Sequence, residues 1–301
     1  MGCARGEQLV GDLLDLDVGS THGGETRPTS PTAALPFGKT EAMDVATALG
    51  TYLDIADSVS PGLVEGLYVV GSFALDDWQP ESDIDTVAVL AEPATDEVFG
   101  SLRTVHALLT ERQSLPHIDG PYLAWADLIA APATGLHRPW TLAGELHHDG
   151  ECFEINPVTW YTLATYGVTV RGPAADALNI WHETEDRVRF VIDNLSTYWH
   201  QLARSVEVSC DDPAATFDLA SFEWCALGAL RLHYTAFTGD VTSKRGAGEY
   251  GLVVTPDHMH DTLRTALNVR ATGEGEVTPA MMLRAAEVIS WTVNEVRRAA
   301  A

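Results

Sequence analysis

Hydrophobic positions along the chain follow two periods, and the switches between them mark out its elements. From Thr40 on, Met43, Ala46, Leu49 and Leu53 recur at the three- and four-residue spacing of one helical face, and Pro61-Gly62 closes the segment. The β-branched and aromatic run Leu67-Tyr68-Val69-Val70 predicts a strand ending at Gly71-Ser72. A polar loop, 76–82, leads into a second strand, 83–90. Alternation places Asp83, Asp85, Val87 and Val89 on one face and Ile84, Thr86, Ala88 and Leu90 on the other. The first face is acidic where the strand starts and apolar beyond, as for a strand that begins at a cleft and is then buried on both sides. Val98, Leu102, Val105 and Leu109 form a helical stripe within 94–112, and a third strand is expected over about 118–126.

Beyond a His- and Pro-bearing loop at 131–150 the period turns helical. Val188, Val191, Leu195, Tyr198 and Leu202 form one stripe; Leu219, Phe222, Ala226, Ala229 and His233 form another, with Gly239 as its C-cap. Met259, Leu263 and Ala266 predict a third helix, and Met281, Ala285, Val288 and Thr292 a fourth, introduced by Thr278-Pro279. The expectation is an α/β (α+β) chain, with a mixed-sheet domain over 39–155 and an α-helical bundle over 156–301. Residues 1–38, rich in Gly, Thr and Pro, are expected to be a flexible leader.

Composition narrows the classes. Apolar residues are 46% and charged residues 20% of 301, enough to bury a real core. Lys and Arg number 18 against 43 Asp and Glu, a net charge of −25. That balance excludes a protein held on nucleic acid by a basic surface and favours cationic partners, or anions that arrive with their own metal ions. Cys3, Cys152, Cys210 and Cys225 are scattered, which suggests neither a disulfide framework nor a zinc site. Acidic residues interrupt the N-terminus where a signal peptide needs an apolar stretch, and no run approaches the roughly 18 apolar residues of a membrane span. A cytoplasmic protein without membrane association is expected.

The chemistry-bearing segment is a strand, then Gly71-Ser72, ten residues, and Asp83-Ile84-Asp85. Gly71 admits close backbone approach to a ligand, and Ser72 offers a hydroxyl and an amide to phosphate oxygens. Two aspartates at i, i+2 on a strand project from the same face, where their repulsion calls for a cation such as Mg²⁺. This pattern resembles the polymerase-β-type nucleotidyltransferase superfamily. Gly71-Ser72 followed by Pro80-x-Ser82-Asp83-Ile84-Asp85 is similar, within it, to the aminoglycoside 3''(9)-adenylyltransferases. A second match lies downstream, where Arg231 on a helix, Tyr234-Thr235-x-x-Thr238-Gly239, and then Ser243-Lys244 resemble that family's C-terminal signature.

The resemblance implies a nucleotidyltransferase domain and a helical domain with the active cleft between them. It implies Mg²⁺, as two ions, with Asp83, Asp85 and Asp119 as metal-binding and catalytic carboxylates. Gly71, Ser72, Ser82, Arg231 and Lys244 would hold the nucleotide. Asp119, on the strand after the intervening helix, would take the acceptor's proton, although relatives usually carry Glu there and Gly120-Pro121 is unusual within a strand. Trp199 lies where relatives have a tryptophan lining the aminoglycoside site; a core tryptophan explains it equally well. Glu207, Asp211 and Asp212 are candidates to meet ammonium groups, and His147-His148-Asp149 reads as an exposed loop. The implied activity is Mg²⁺-dependent transfer of AMP from ATP to a hydroxyl of a cationic small molecule, first an aminoglycoside of the streptomycin or spectinomycin type. Antibiotic resistance would follow. The alternatives are another small-molecule or protein acceptor, or a non-catalytic, antitoxin-like nucleotide-binding regulator.

Overall fold

The computed structural model describes residues 39–300 apart from 80–81, 113–114, 134–135, 149 and 213, with side chains from Val45 onward. The expected leader, Pro80 and Asp149 lie outside the described residues. The chain divides into two compact units, with the break along the sequence between Glu183 and Thr184.

The first unit is built on a six-stranded mixed sheet. Helix α1 (Lys39–Val59) precedes strand β1 (Gly66–Val69), and the short helix α2 (Gly71–Ala74) leads on to β2 (Ile84–Leu90). Helix α3 (Asp96–Thr110) crosses to β3 (Ile118–Ala124), followed by α4 (Trp125–Leu128). A hairpin of β4 (Trp140–Leu142) and β5 (Glu145–His147), helix α5 (Pro157–Tyr166) and β6 (Val168–Arg171) complete it. Strand order is β5-β4-β3-β2-β1-β6. Only β2 and β3 run parallel, and α3 is the crossover such a pair requires.

The alternation of β2 separates two cores. Ile84, Ala88 and Leu90 pack with Tyr52 and Ala56 of α1 and Leu102 and Val105 of α3. Val87 and Val89 pack on the other face with Leu128, Trp160 and Leu163. A strand covered on both sides is what its unbroken apolar second half demands. In α1 the buried stripe is Val45, Ala48, Leu49, Tyr52 and Ala56, whereas Ala46 of the expected face is exposed. Two expectations for the middle of the chain are corrected. Part of the presumed loop at 131–150 is the β4–β5 hairpin, and His147 is a strand residue. Residues 157–171, placed with the helical domain, pack with the sheet: β6 pairs with β1, and the Arg171 guanidinium grips Asp57 of α1 with bonds of 2.9 and 2.6 Å.

The second unit is helical: α6 (Thr184–Asn194), a π-helical turn (Leu195–Trp199), α7 (His200–Cys210), α8 (Leu219–Thr238), α9 (Lys244–Val254), α10 (His260–Thr272) and α11 (Pro279–Ala300). Asp218 and Ser243 cap α8 and α9, and Gly239 ends α8 at φ 72°. Most residues of the expected stripes meet in one core, from Leu195 and Trp199 through Phe222 and Leu230 to Val288, while Val188, Val191 and His233 are not part of it. Among the described residues no helix is long and apolar enough to cross a membrane, and Cys152, Cys210 and Cys225 are free thiols.

Candidate active site

The carboxylates converge where the parallel strands begin. Ile84 pairs with Ile118 and Asp85 with Asp119, so one residue type arises from both strands at the same level. The ladder then skips the Gly120-Pro121 step and resumes at Ala88–Tyr122, which is how a proline that cannot donate is tolerated inside this sheet. Hydroxyls fix the backbone here: Thr86 donates to the Asp119 carbonyl (3.1 Å) and Thr141 to those of Ile118 (3.1 Å) and Gly120 (3.3 Å).

The Asp119 side chain is only 2% exposed. Its oxygens accept the amides of Ala143 (2.7 Å) and Gly144 (3.0 Å), the central residues of the β4–β5 turn. Both take positive φ, 51° and 76°, as a type I′ hairpin turn requires, and this conformation aims both amides at the carboxylate. Burial raises the Asp119 carboxyl above its ordinary value, and the two amide bonds oppose that rise.

Asp83, just before β2, lies 3.3 Å from Nδ1 of His117. Donor atoms of Asp83, His117 and Asp119 lie within 4.8 Å of one another and make a set able to hold one metal ion. Asp85 is not one of that set; it lies with Oδ2 against Gly71, where a Cβ would come within 1.8 Å. The glycine, at φ 59°, is therefore required both by its conformation and by the carboxylate packed on it. Val70 donates to the Asp85 carbonyl (2.9 Å), tying the Gly71-Ser72 step to the strand. Ser82 accepts from the Gln79 amide (3.3 Å) and closes the loop before Asp83.

Sequence reasoning missed two residues of this cluster. His117 was legible, because it stands two positions before Asp119, immediately ahead of β3, where the strand's alternation would continue to put it on the same side. Glu154 gave no signal; it precedes α5, and burial together with the charges of Asp85, Asp119 and Asp83 pushes its carboxyl well above the usual range. Carboxylates so close favour a hard divalent cation among them, and this oxygen-rich donor set fits Mg²⁺.

The second unit gathers its own charges around one indole. The Arg231 guanidinium stands 5.1 Å and the Lys244 ammonium 5.7 Å from the Trp224 ring centre. Lys244 also pairs with Glu223 (2.9 Å), which holds Arg270 as well (2.8 Å). Burial would raise the Glu223 carboxyl, yet the two cations outweigh it and hold it below its usual value. Trp199, for which a substrate-lining and a core role were equally open, is packed in the core of this unit: 1% exposed, it stacks on Trp224 at 5.1 Å and fills the space over Gly228. Glu207, Asp211 and Asp212 are exposed at the end of α7.

Residues 51–119 match the family model of the nucleotidyltransferase domain, a span that runs from α1 to Asp119. Among solved structures the chain is similar to spectinomycin adenyltransferase AAD(9) from Enterococcus faecialis, determined with ATP and spectinomycin. The TM-score is 0.60 at 15% identity, over 83% of this chain and 98% of that one. No curated protein matches the chain. With the carboxylates gathered at the end of the matched segment, residues 51–119 carry a nucleotidyltransferase domain, in a chain that shares the fold of that adenyltransferase.

Proposed function

We propose that the protein transfers AMP from ATP to a hydroxyl of a cationic small molecule, with an aminoglycoside of the spectinomycin or streptomycin type as first choice. The observation that carries this reading is the register of β2 and β3, which sets Asp85 level with Asp119 and brings Asp83 and His117 beside them. Support for the acceptor class comes from the AAD(9) neighbour, solved with spectinomycin, and from the net charge of −25, which favours a polycation.

In this proposal Asp83, Asp85 and Asp119 hold Mg²⁺, two ions as the resemblance implies, with His117 at the edge of the set. When bound, the metal neutralises charge on the phosphates and favours departure of pyrophosphate. Gly71 keeps the backbone low enough for the triphosphate to approach, and Ser72 and Ser82 donate hydroxyls to its oxygens. Arg231 and Lys244 supply positive charge to the phosphates, Arg231 through a planar fork suited to paired oxygens and Lys244 as a point charge. Glu223 keeps Arg270 as its partner when Lys244 turns to a phosphate. These residues align the α-phosphate for attack by the acceptor oxygen.

The test is pyrophosphate release from ATP and Mg²⁺ over a panel of aminoglycosides, with Asp83→Asn as the blank. The reading expects release that depends on one acceptor and falls about 100-fold or more in the variant, which remains folded. Full activity in Asp83→Asn refutes the metal assignment. ATP binding without release on any acceptor favours the regulatory alternative.

A further inference from the structure

We propose that Glu154 is a catalytic residue of this site, the carboxylate that takes the proton from the acceptor hydroxyl, and that Asp119 serves the metal instead. The inference rests on the adenylyl-transfer reading and deepens it. Its ground is a difference in access. A base must approach the hydroxyl it deprotonates to about 3 Å. Asp119 is 2% exposed, with its two oxygens turned to the Ala143 and Gly144 amides, so it is placed to serve an ion held at the strand ends and not a bulky acceptor arriving from solvent. Glu154 is only partly buried, and its carboxylate has no hydrogen-bond partner among the described residues.

The fold makes room for Glu154 at this point. A Cβ on Gly120, the residue after Asp119, would lie 3.1 Å from Glu154 Oε2 and 1.8 Å from the Thr86 carbonyl oxygen. Only glycine, held there at φ 133°, lets the two strands and the glutamate meet. The other carboxylates each have a structural engagement: Asp83 with His117, Asp85 against Gly71, Asp119 with the turn. Glu154 also stands outside the sheet, on the segment leading into α5, yet near enough to Asp85, Asp119 and Asp83 for their charges to act on it. In the step proposed, the acceptor oxygen forms a bond to the α-phosphorus of ATP. The bond from that phosphorus to the bridging oxygen breaks, pyrophosphate leaves with the electron pair, and the hydroxyl proton passes to the Glu154 carboxylate, which is ionised when bound cations offset the charges of Asp85, Asp119 and Asp83.

The experiment uses the full chain with Glu154→Gln, Glu154→Asp and Asp119→Asn. Calorimetry without acceptor reads the binding of Mg²⁺ and ATP. Rapid mixing with the acceptor found by the screen reads kcat and KM for pyrophosphate release, and circular dichroism reads melting. Glu154→Gln is expected to lower kcat by about 10²–10⁴-fold while the acceptor KM, ATP and Mg²⁺ affinities and melting temperature stay within about twofold or a few degrees of the parent. Glu154→Asp restores part of kcat, and Asp119→Asn weakens Mg²⁺-dependent ATP binding. The assignment is overturned if Glu154→Gln keeps kcat within about threefold. It is overturned as well if that variant loses Mg²⁺ binding as Asp119→Asn does, which makes Glu154 a metal ligand. A parent protein that binds no ATP, or releases no pyrophosphate on any acceptor, defeats adenylyl transfer itself and this assignment with it.

Discussion

Gly71 shows how tightly a single position constrains the site. An alanine there would bring its Cβ within 1.8 Å of the Asp85 carboxylate while keeping φ 59°, a conformation that L residues adopt at a cost of about 1–3 kcal/mol. Gly71→Ala is expected to lower the melting temperature and abolish Mg²⁺-dependent ATP binding together, as read by calorimetry. Asp83 and Asp85 were legible because strand alternation and spacing suffice to put two carboxylates on one face. Glu154 was not, because its approach depends on Gly120 and on a loop path that no local pattern encodes. His106 illustrates a buried ionisable group outside the site. Its Nε2 lies 2.7 Å from the Tyr122 hydroxyl, which in turn accepts from Tyr52 at 2.9 Å, and burial lowers its pKa to about 4. An unfolded histidine titrates near 6.5, so the unfolded chain binds the proton first. The stability this neutral ring contributes is complete above about pH 6.5 and is lost as the pH falls toward 4. In His106→Gln the acid-side slope of unfolding free energy against pH should flatten by up to about 1.4 kcal/mol per unit, measured by urea titration from pH 7 to 4.

Elements were readable where one period persisted and obscure where contacts overrode local preference. Helix α9 escaped notice because Gly246, Gly248 and Gly251 depress helix propensity. In the structure Gly248 and Gly251 form its contact face, where a Cβ would press to 2.6 Å on Leu267 and to 2.8 Å on Leu230 and Leu263. The β4–β5 hairpin, with strands of three residues, is too short to show alternation. It is placed by tertiary bonds, among them the Arg138 guanidinium, which binds Asp127 at 2.9 and 2.8 Å just before β4 begins. The same contest of propensity and packing sets the outcome of Gly228→Ala in α8. Alanine gains about 1 kcal/mol as a helix former. Its Cβ, however, would come 2.2 Å from Cη2 of the buried Trp199, and overpacking of that kind costs about 1–3 kcal/mol. Net destabilisation is expected in thermal melts; a higher melting temperature would show that the ring relaxes freely.

At the scale of the whole molecule, charge acts on the two substrates with opposite sign. A net −25 repels free ATP and attracts a polycation, and both effects are screened over about 10 Å at 0.1 M salt. Raising salt from 20 to 200 mM is expected to increase KM for a cationic acceptor several-fold while KM for MgATP stays level or falls. Parallel rises in both constants would indicate that local pairs, not the global field, govern encounter. The division into two units, each with its own core, also explains why fold class was legible while the boundary was not: strand β6 returns to the sheet after a helix that reads like those of the bundle. The turn at Ala143-Gly144 bears on how kinship is traced at this depth of divergence. It grips Asp119 with main-chain donors alone, so the letters at 143 and 144 answer only to the turn's positive torsions, which favour Gly, Asn and Asp but dictate no single residue. What natural selection preserves at such a spot is a shape without a spelling, and distant kin of this chain should share the curl of that hairpin long after their residues there have ceased to align.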